Sequence, residues 1–153
     1  MIFVDASALL EFLLQTSLGL RVEARLFRDE DELHAPHLVD VEVVQGLRRL
    51  VRTGDISPDR AEKAIADLTD LDLHRHPHLD LLGRVWTLRD NISAYDAMYV
   101  ALAEAIAAPI VTCHSPLAKA PNTALGSKSS REAARPPRTR SSSSQANAGT
   151  RLS

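Results

Sequence analysis

Short apolar segments alternate with longer amphipathic ones between residues 1 and 112, and this alternation restricts the folds open to the chain. Residues 1–5, 33–35, 72–76 and 109–112 are brief and are predicted to be strands. Between them, apolar residues recur at the three- and four-residue spacings of helices. Because strands separated by helices favour parallel pairing, we predict an α/β fold with a mostly parallel central sheet and helices on both faces.

Polar residues mark where several predicted helices begin. Ser7 is predicted to cap a helix over residues 8–14, and a second helix is expected over residues 21–27. Ser93 provides a similar start for a long helix that runs to about residue 107. Trp86 falls on the apolar stripe of the preceding helix, so we expect its side chain in the core.

The helical and strand patterns stop near Pro121, where the composition changes. Residues 122–153 are rich in Ser and Arg and contain six basic residues against one acidic residue. Such a stretch buries too little apolar surface to offset its ordering entropy, so we predict one domain over residues 1–121 and a disordered tail over residues 122–153. Because the whole chain has a formal charge of −2, residues 1–121 carry −7. An acidic body suits a protein that collects cations or meets a basic partner.

The chain is expected to act in the cytoplasm, without a membrane partner. No apolar run approaches the ~20 residues that a spanning helix needs. The opening segment lacks the basic region of a secretory signal, and Asp5 interrupts its apolar stretch. The single cysteine, Cys113, excludes an internal disulfide and suits a reducing compartment.

Three acidic residues stand at positions that a folded chain is able to bring together. Asp5 ends the first predicted strand, Glu42 lies in the first turns of a helix, and Asp96 opens another helix. Clustered carboxylates hold Mg²⁺ or Mn²⁺, and such ions promote phosphodiester cleavage. Each acid also has a structural explanation, since Asp5 suits a helix cap, Glu42 suits the helix dipole and Asp96 forms a capping box with Ser93. The residues by themselves leave both interpretations open.

Several segments together resemble the PIN-domain ribonucleases, specifically the toxins of VapBC-type toxin–antitoxin pairs. The matching segments are residues 1–9, Val41-Glu42-Val43, residues 75–78, residues 86–91, residues 93–104, residues 110–113 and residues 117–121. The combination of the opening Asp5 with the block Tyr95-Asp96-Ala97-Met98-Tyr99-Val100-Ala101-Leu102-Ala103-Glu104 is the specific part of this match.

The resemblance implies a PIN-like three-layer sandwich with an acidic Mg²⁺ site, for which Mn²⁺ is an alternative. It implies that Asp5, Glu42 and Asp96 are the catalytic and metal-binding acids, with Ser7 a small polar residue near the metal. The expected activity is endoribonuclease cleavage, often of a tRNA or ribosomal RNA, by a metal-activated water. The expected partners are a cognate antitoxin, whose C-terminal segment enters the active site, and a second copy of the chain in a homodimer.

The sequence departs from the family pattern at two places. The family usually carries a fourth acid after the last core strand, whereas His114 follows Thr112 and Cys113 here. His114 is therefore a possible metal ligand, and a histidine shifts preference toward softer ions. The residues after Pro121 also look unlike a PIN C-terminus. These departures favour an alternative, in which a degenerate PIN domain binds antitoxin or RNA with little or no cleavage.

Two further groups of residues admit a binding role. Arg48, Arg49 and Arg52 follow Glu42 on the same predicted helix and suit either RNA phosphates or a solvated helix face. His74, His76 and His78 alternate as on a strand that could bind a metal, but Pro77 interrupts that strand.

Overall fold

The structure, a computed structural model, describes residues 1–28, 31–115, 117–119 and 123–124. The strands in these ranges form one sheet of order β3-β2-β1-β4-β5, and every neighbouring pair is parallel. The strands are β1 (Ile2–Val4), β2 (Leu33–Pro36), β3 (Leu73–His76), β4 (Ile110–Val111) and β5 (Thr123–Ala124). The predicted mostly parallel sheet is therefore confirmed.

Helices cover the sheet in two packed groups. They are α1 (Ala6–Leu13), α2 (Ser17–Leu26), α3 (Leu38–Thr53), α4 (Pro58–Asp70), α5 (Leu82–Thr87) and α6 (Ala94–Ile106). The first four pack against one another, and α5 packs on α6, which also contacts β2 and β4. With the sheet between them, these groups form the three-layer α/β sandwich expected from the sequence.

The caps explain where the first two helices begin, and they correct two sequence predictions. Asp5, not Ser7, caps α1, since its side chain accepts the backbone N–H of Ala8. The β1 strand ends at Val4, so the helix begins directly after Asp5. Helix α2 begins four residues earlier than expected, because the Thr16 hydroxyl accepts the N–H of Gly19 at 2.9 Å.

The core is built around β1, whose three residues have no solvent exposure. The prediction that Trp86 belongs to this core is wrong, because its side chain is 69% exposed. Helix α5 is only six residues long and packs inward through Val85. The next residue therefore points outward, where the Arg89 guanidinium lies 4.9 Å from the centre of the Trp86 ring.

Helices α1 and α3 approach each other closely at Gly46. A Cβ atom built at this position would lie 2.3 Å from Cδ1 of Leu10, which is closer than real carbon contacts allow. Gly46 follows Glu42 by one helical turn, and Leu10 lies in the helix that Asp5 caps. The absence of a side chain at Gly46 thus leaves room for the Leu10 side chain between these two helices.

The end of the chain is described only in part. Thr123–Ala124 pairs with β4, although it falls within the predicted tail. Residues 125–153 lie outside the described ranges, so the disordered tail stays a prediction. In the part of the chain that the structure describes, every helix is too short or too polar to cross a membrane.

Candidate active site

The candidate site lies at the carboxyl edge of the sheet, where its winding reverses. From β1 the sheet extends to β2 and β3 on one side, and to β4 and β5 on the other. Parallel α/β sheets bind ligands beyond the carboxyl ends of their strands at such a reversal. Asp5 directly follows β1, and Thr112 directly follows the neighbouring β4.

The Asp5 carboxylate is buried and receives several hydrogen bonds. Oδ1 accepts the backbone N–H of Ala8 at 2.9 Å, and Oδ2 accepts the hydroxyl of Thr112 at 2.7 Å. The Ser7 hydroxyl lies 2.8 Å from Oδ1 and 3.0 Å from Oδ2. Burial raises the pKa of Asp5 above its usual value, although the hydrogen bonds oppose this shift.

Ser7 connects the two strand ends that form the site. Its hydroxyl donates to Asp5 and accepts the backbone N–H of Cys113 at 2.9 Å. Thr112 completes the connection, because its hydroxyl also accepts the N–H of His114 at 2.9 Å. These contacts fix the position of the Asp5 carboxylate relative to the loop after β4.

Glu42 enters the site from α3 and is held by a tyrosine on α6. Its Oε2 atom accepts the phenol of Tyr99 at 2.6 Å. Burial raises the pKa of Glu42, the hydrogen bond from Tyr99 opposes this rise, and the negative charges of Asp5 and Asp96 add to it. Burial and the nearby Glu42 raise the pKa of Tyr99 far above its ordinary value, so the phenol remains a donor.

Asp96 lies in the first turn of α6, where the N-cap residue Ser93 holds it through both its backbone and its side chain. The Ser93 hydroxyl donates to Oδ2 of Asp96 at 2.8 Å and accepts the Asp96 N–H at 3.1 Å. The capping interpretation of these two residues is therefore correct. Oδ1 of Asp96 lies 3.9 Å from Nε2 of His114. With Oδ2 held by Ser93, Oδ1 faces His114 at the wall of the cavity.

The three acids line one cavity of about 470 Å³. Other residues of its wall include Ser7, Tyr99 and His114. The influence of Asp5 and Asp96 on the pKa of Glu42 shows that their charges act on one another. The structure thus brings the predicted carboxylates together from β1, α3 and α6.

The chemistry of these donors fits a hard divalent cation. Carboxylate oxygens are the ligands that Mg²⁺ prefers, and a cation would relieve the repulsion that raises the pKa of Glu42. Among the described residues, no three His, Cys, Asp or Glu side chains are spaced to bind one ion directly. Because Mg²⁺ keeps several of its waters, the arrangement suits an ion held partly through water.

His114 occupies the side of the cavity where a fourth acid was expected. Its side chain is 50% exposed and approaches Asp96, so it belongs to the site rather than to a distant loop. A histidine here places a neutral or positive group beside the carboxylates, and its charge opposes the rise in the pKa of Glu42.

Sequence reasoning missed two site residues, Tyr99 and Thr112. Tyr99 stands three residues after Asp96 on α6, so helical spacing already placed both on one side of that helix. Thr112 ends the segment that pairs with β1. A polar residue directly after a buried strand, at the same edge as Asp5, was the available signal for Thr112.

Comparison with known proteins identifies the family to which this architecture belongs. The family model described as "PIN domain" matches residues 2–121. The chain belongs to the PIN-domain family. This match covers nearly all of the predicted domain and includes all three acids of the cavity.

Curated relatives of this PIN domain are VapC ribonucleases. Ribonuclease VapC9 of Mycobacterium tuberculosis (strain ATCC 25618 / H37Rv) is 43% identical over 112 residues, covering 73% of this chain and 84% of that protein. Ribonuclease VapC1 of the same strain is 41% identical over 119 residues, covering 77% and 89%. The chain is thus a PIN domain of the VapC type, as the sequence resemblance predicted.

Solved structures agree on the fold. The crystal structure of PAE2754 from Pyrobaculum aerophilum matches with a TM-score of 0.61 and 27% identity, covering 80% of this chain and 81% of that one. The structure of Mycobacterium tuberculosis VapC20, described as a sarcin-ricin loop cleaving toxin, matches with a TM-score of 0.54 and 18% identity, covering 73% and 87%. At that lower identity the second likeness shows the fold alone.

Proposed function

We propose that this chain is a Mg²⁺-dependent endoribonuclease that acts in the cytoplasm as the toxin of a toxin–antitoxin pair. The observation that carries the proposal is the meeting of Asp5, Glu42 and Asp96 in one cavity at the carboxyl edge of a parallel sheet. The ribonuclease names of its VapC relatives support RNA as the substrate. A tRNA or a ribosomal RNA is the proposed target.

Asp5, Glu42 and Asp96 would hold the divalent ion, either Mg²⁺ or Mn²⁺, with His114 as a possible further ligand. When bound, such an ion supplies positive charge against the scissile phosphate and increases the acidity of water. Burial of the Asp5 carboxylate strengthens its attraction for such an ion, because charges interact more strongly where they are shielded from water.

The remaining steps belong to the chain's own residues. Thr112 and Ser7 keep the Asp5 carboxylate in place, and Ser93 does the same for Asp96. Oε2 of Glu42 is occupied by the Tyr99 phenol, whereas Oε1 has no hydrogen-bond partner among the described residues. Oε1 therefore accepts a proton from the water that attacks the phosphate in line, and the raised pKa of Glu42 suits a general base.

The same cavity is the proposed site of inhibition. An antitoxin segment that carries a basic side chain would be attracted to the three carboxylates and would exclude RNA. Deleting the C-terminal segment of the antitoxin should therefore weaken the binding of the antitoxin to this chain, as measured by calorimetry. Separately, a homodimer is the proposed oligomeric state.

A second candidate function is favoured by His114. A degenerate PIN domain would bind antitoxin or RNA but cut little, because the expected fourth carboxylate is missing. The variant His114→Asp separates the two functions. If the wild-type chain fails to cleave RNA and His114→Asp restores cleavage, the degenerate function is correct.

The decisive experiment compares Glu42→Gln with Glu62→Gln. Glu62 is an exposed residue of α4 outside the cavity wall, so its variant makes the same chemical change elsewhere. Purified full-length protein is incubated with RNA and Mg²⁺ or Mn²⁺. Loss of a positioned base should lower cleavage by about 100-fold in Glu42→Gln alone.

Calorimetry with Mn²⁺ provides a readout independent of cleavage. Glu42→Gln should bind the ion more weakly than wild type, and Glu62→Gln should bind it equally well. Equal cleavage by both variants would contradict the proposed role of Glu42, and wild-type protein without any ion binding would contradict the metal site.

A further inference from the structure

Three arginines on the exposed side of α3 have no acidic partner in the part of the chain that the structure describes. The guanidinium groups of Arg48, Arg49 and Arg52 make no ion pair or hydrogen bond with another of the described residues, and all three residues are exposed. By contrast, Arg25, Arg75, Arg84 and Arg89 each contact a carboxylate. We call Arg48, Arg49 and Arg52 the arginine strip.

Helix geometry joins the arginine strip to the acidic cavity. Arg49 follows Glu42 by seven residues, which is two turns, so both lie on one side of α3 about 10 Å apart along its axis. Arg49 lines the cavity that holds the three acids and also an adjoining cavity of about 640 Å³. The strip therefore begins at the wall of the proposed active site and continues away from it.

The charge of the site requires such a strip. Three carboxylates repel the phosphates of RNA until a cation is bound, so the substrate needs positive groups beside the cavity. Arginine presents planar donors that match phosphate oxygens. Asp55 and Glu11 also line the adjoining cavity, but each accepts a threonine hydroxyl. Arg49 and Arg60 on the same wall equal these two acids in number, so the excess positive charge along this path comes from Arg48 and Arg52, which lie beside the cavity on α3.

We infer that the arginine strip binds backbone phosphates of a single-stranded RNA segment that flanks the cleaved bond. This inference rests on the proposed ribonuclease function, because it assigns the path that the substrate takes to the acidic cavity. The strip reads no sequence, since phosphate contacts position a nucleic acid without distinguishing bases. A protein partner is the competing occupant, because Val41 and Val44 are exposed earlier on the same helix.

The test compares two triple variants that remove equal charge. Arg48→Ala/Arg49→Ala/Arg52→Ala removes the strip, and alanine preserves the helix. Arg21→Ala/Lys63→Ala/Arg84→Ala is the control, because these are exposed basic residues outside the wall of either cavity. Circular dichroism confirms that both full-length variants fold. The probe is a short fluorescein-labelled single-stranded RNA, and its binding is measured by anisotropy without divalent ions over a series of NaCl concentrations.

The strip variant should show a shallower dependence of binding on salt. Each phosphate contact to single-stranded RNA contributes about 0.7 to the slope of log K against log salt, so loss of three contacts reduces the slope by about 2. The control should keep the wild-type slope. In cleavage assays with Mg²⁺, the strip variant should raise KM while leaving kcat within about twofold, since the strip holds substrate in ground and transition states alike.

The outcomes separate this inference from the proposed function. Equal slopes for the two variants would overturn the inference, and the nuclease function would stand if the wild type still cleaves RNA. An unchanged slope with lost binding of a protein partner would assign the strip to that partner and also overturn it. A shallower slope in a protein that never cleaves would support RNA binding by the strip and contradict the nuclease function.

Discussion

Two groups of like ionisable side chains lie along the same sheet, and the fold relieves their repulsion differently. Asp5, Glu42 and Asp96 surround an open cavity. The histidine cluster, formed by His34, His74 and His76, lies on β2 and β3. Within it, the rings of His34 and His74 stack at 4.9 Å, and Nδ1 of His34 lies 2.8 Å from Nε2 of His76.

The acidic group and the histidine cluster differ in their surroundings. Burial raises the pKa of Asp5 and Glu42, yet their cavity admits a cation that would stabilise the charged forms. Burial lowers the pKa of His34 and His76, and their neighbouring histidines lower it further. His34 and His76 pack against the ring of Phe3, and their lowered pKa values favour the neutral imidazoles, which do not repel each other. The comparison separates acids that face a cavity from histidines that pack against an aromatic ring.

The largest expected effect comes from Asp5→Asn. Asparagine keeps the α1 cap but removes the charge, so cleavage should fall by about 100-fold, which corresponds to the several kcal/mol that a metal site supplies. Because the folded-state pKa of Asp5 is raised, its carboxylate destabilises the folded chain at neutral pH without metal. The variant should therefore unfold at a higher urea concentration.

The control for that variant is Asp70→Asn, which changes an exposed residue at the end of α4. It should alter neither cleavage nor stability measurably. If Asp5→Asn cleaves RNA at the wild-type rate, the acidic cavity does not differ functionally from the histidine cluster.

Tyr99→Phe should have a smaller effect on the acidic cavity. It removes the hydrogen bond to Oε2 of Glu42, which opposes the rise in the Glu42 pKa. The pKa of Glu42 should rise further, so the acid limb of the pH–rate profile should move to higher pH. A hydrogen bond to a charged group contributes about 1.5 kcal/mol, so cleavage should fall by about tenfold on the acid limb of the profile and should change less at pH values above it. An unshifted acid limb would show that Glu42 is not the titrating base.

Substitutions in the histidine cluster should change the pH dependence of stability rather than the cleavage activity. Since the pKa values of His34 and His76 are lowered in the folded chain, the unfolded chain binds protons first. The free energy of unfolding is therefore at its full value above the unfolded-state histidine pKa of about 6.5, and it decreases as the pH falls below that value. His76→Leu should show a smaller loss of unfolding free energy on acidification than wild type, as measured by urea unfolding across this range.

Phe3→Leu is the matched control, because Phe3 packs on His34 and His76 but does not titrate. It should lower stability at every pH and leave the pH dependence unchanged. Neither substitution should alter cleavage by a folded protein. If folded His76→Leu lost cleavage activity, the histidine cluster would also be needed for activity, which would contradict the distinction between it and the acidic cavity.

The smallest expected effect comes from Trp86→Ala. Trp86 is 69% exposed and its main described contact is the Arg89 guanidinium. An exposed cation–π contact contributes about 1 kcal/mol at most, so thermal unfolding should change little. Val85→Ala, which truncates the neighbouring buried side chain, should be more destabilising. A larger loss of stability in Trp86→Ala than in Val85→Ala would indicate that Trp86 belongs to the core after all.

The architecture was predictable from the sequence because its strands and helix caps are marked by local sequence patterns. An apolar run followed by Asp5 was enough to predict β1 and to place Asp5 at the carboxyl edge of the sheet, and the capping residue Ser93 located the start of α6. The first cap was misassigned because Asp5 and Ser7 are both good capping residues, two positions apart. Trp86 was misassigned because a six-residue helix has too few turns for its apolar pattern to define an inward side.

The acidic residues of the candidate site were predictable from the sequence, but the residues that hold them in place were not. The family resemblance selected Asp5, Glu42 and Asp96, whose charges then proved to meet in one cavity. The roles of Tyr99 and Thr112 depend on which elements become neighbours, namely α6 with α3 and β4 with β1. Such partners are fixed by tertiary packing, and periodicity along a single segment does not reveal them.

The close approach of α1 and α3 at Gly46 has a consequence for how this protein is able to change. A single added methyl group would meet Cδ1 of Leu10 at 2.3 Å, so the Leu10 side chain would have to move before a larger residue fits. Because Leu10 and Gly46 both line the cavity of the three acids, this rearrangement would change the shape of the cavity without altering any charged residue. Evolution thus has access to the pocket through a position that contributes no functional group.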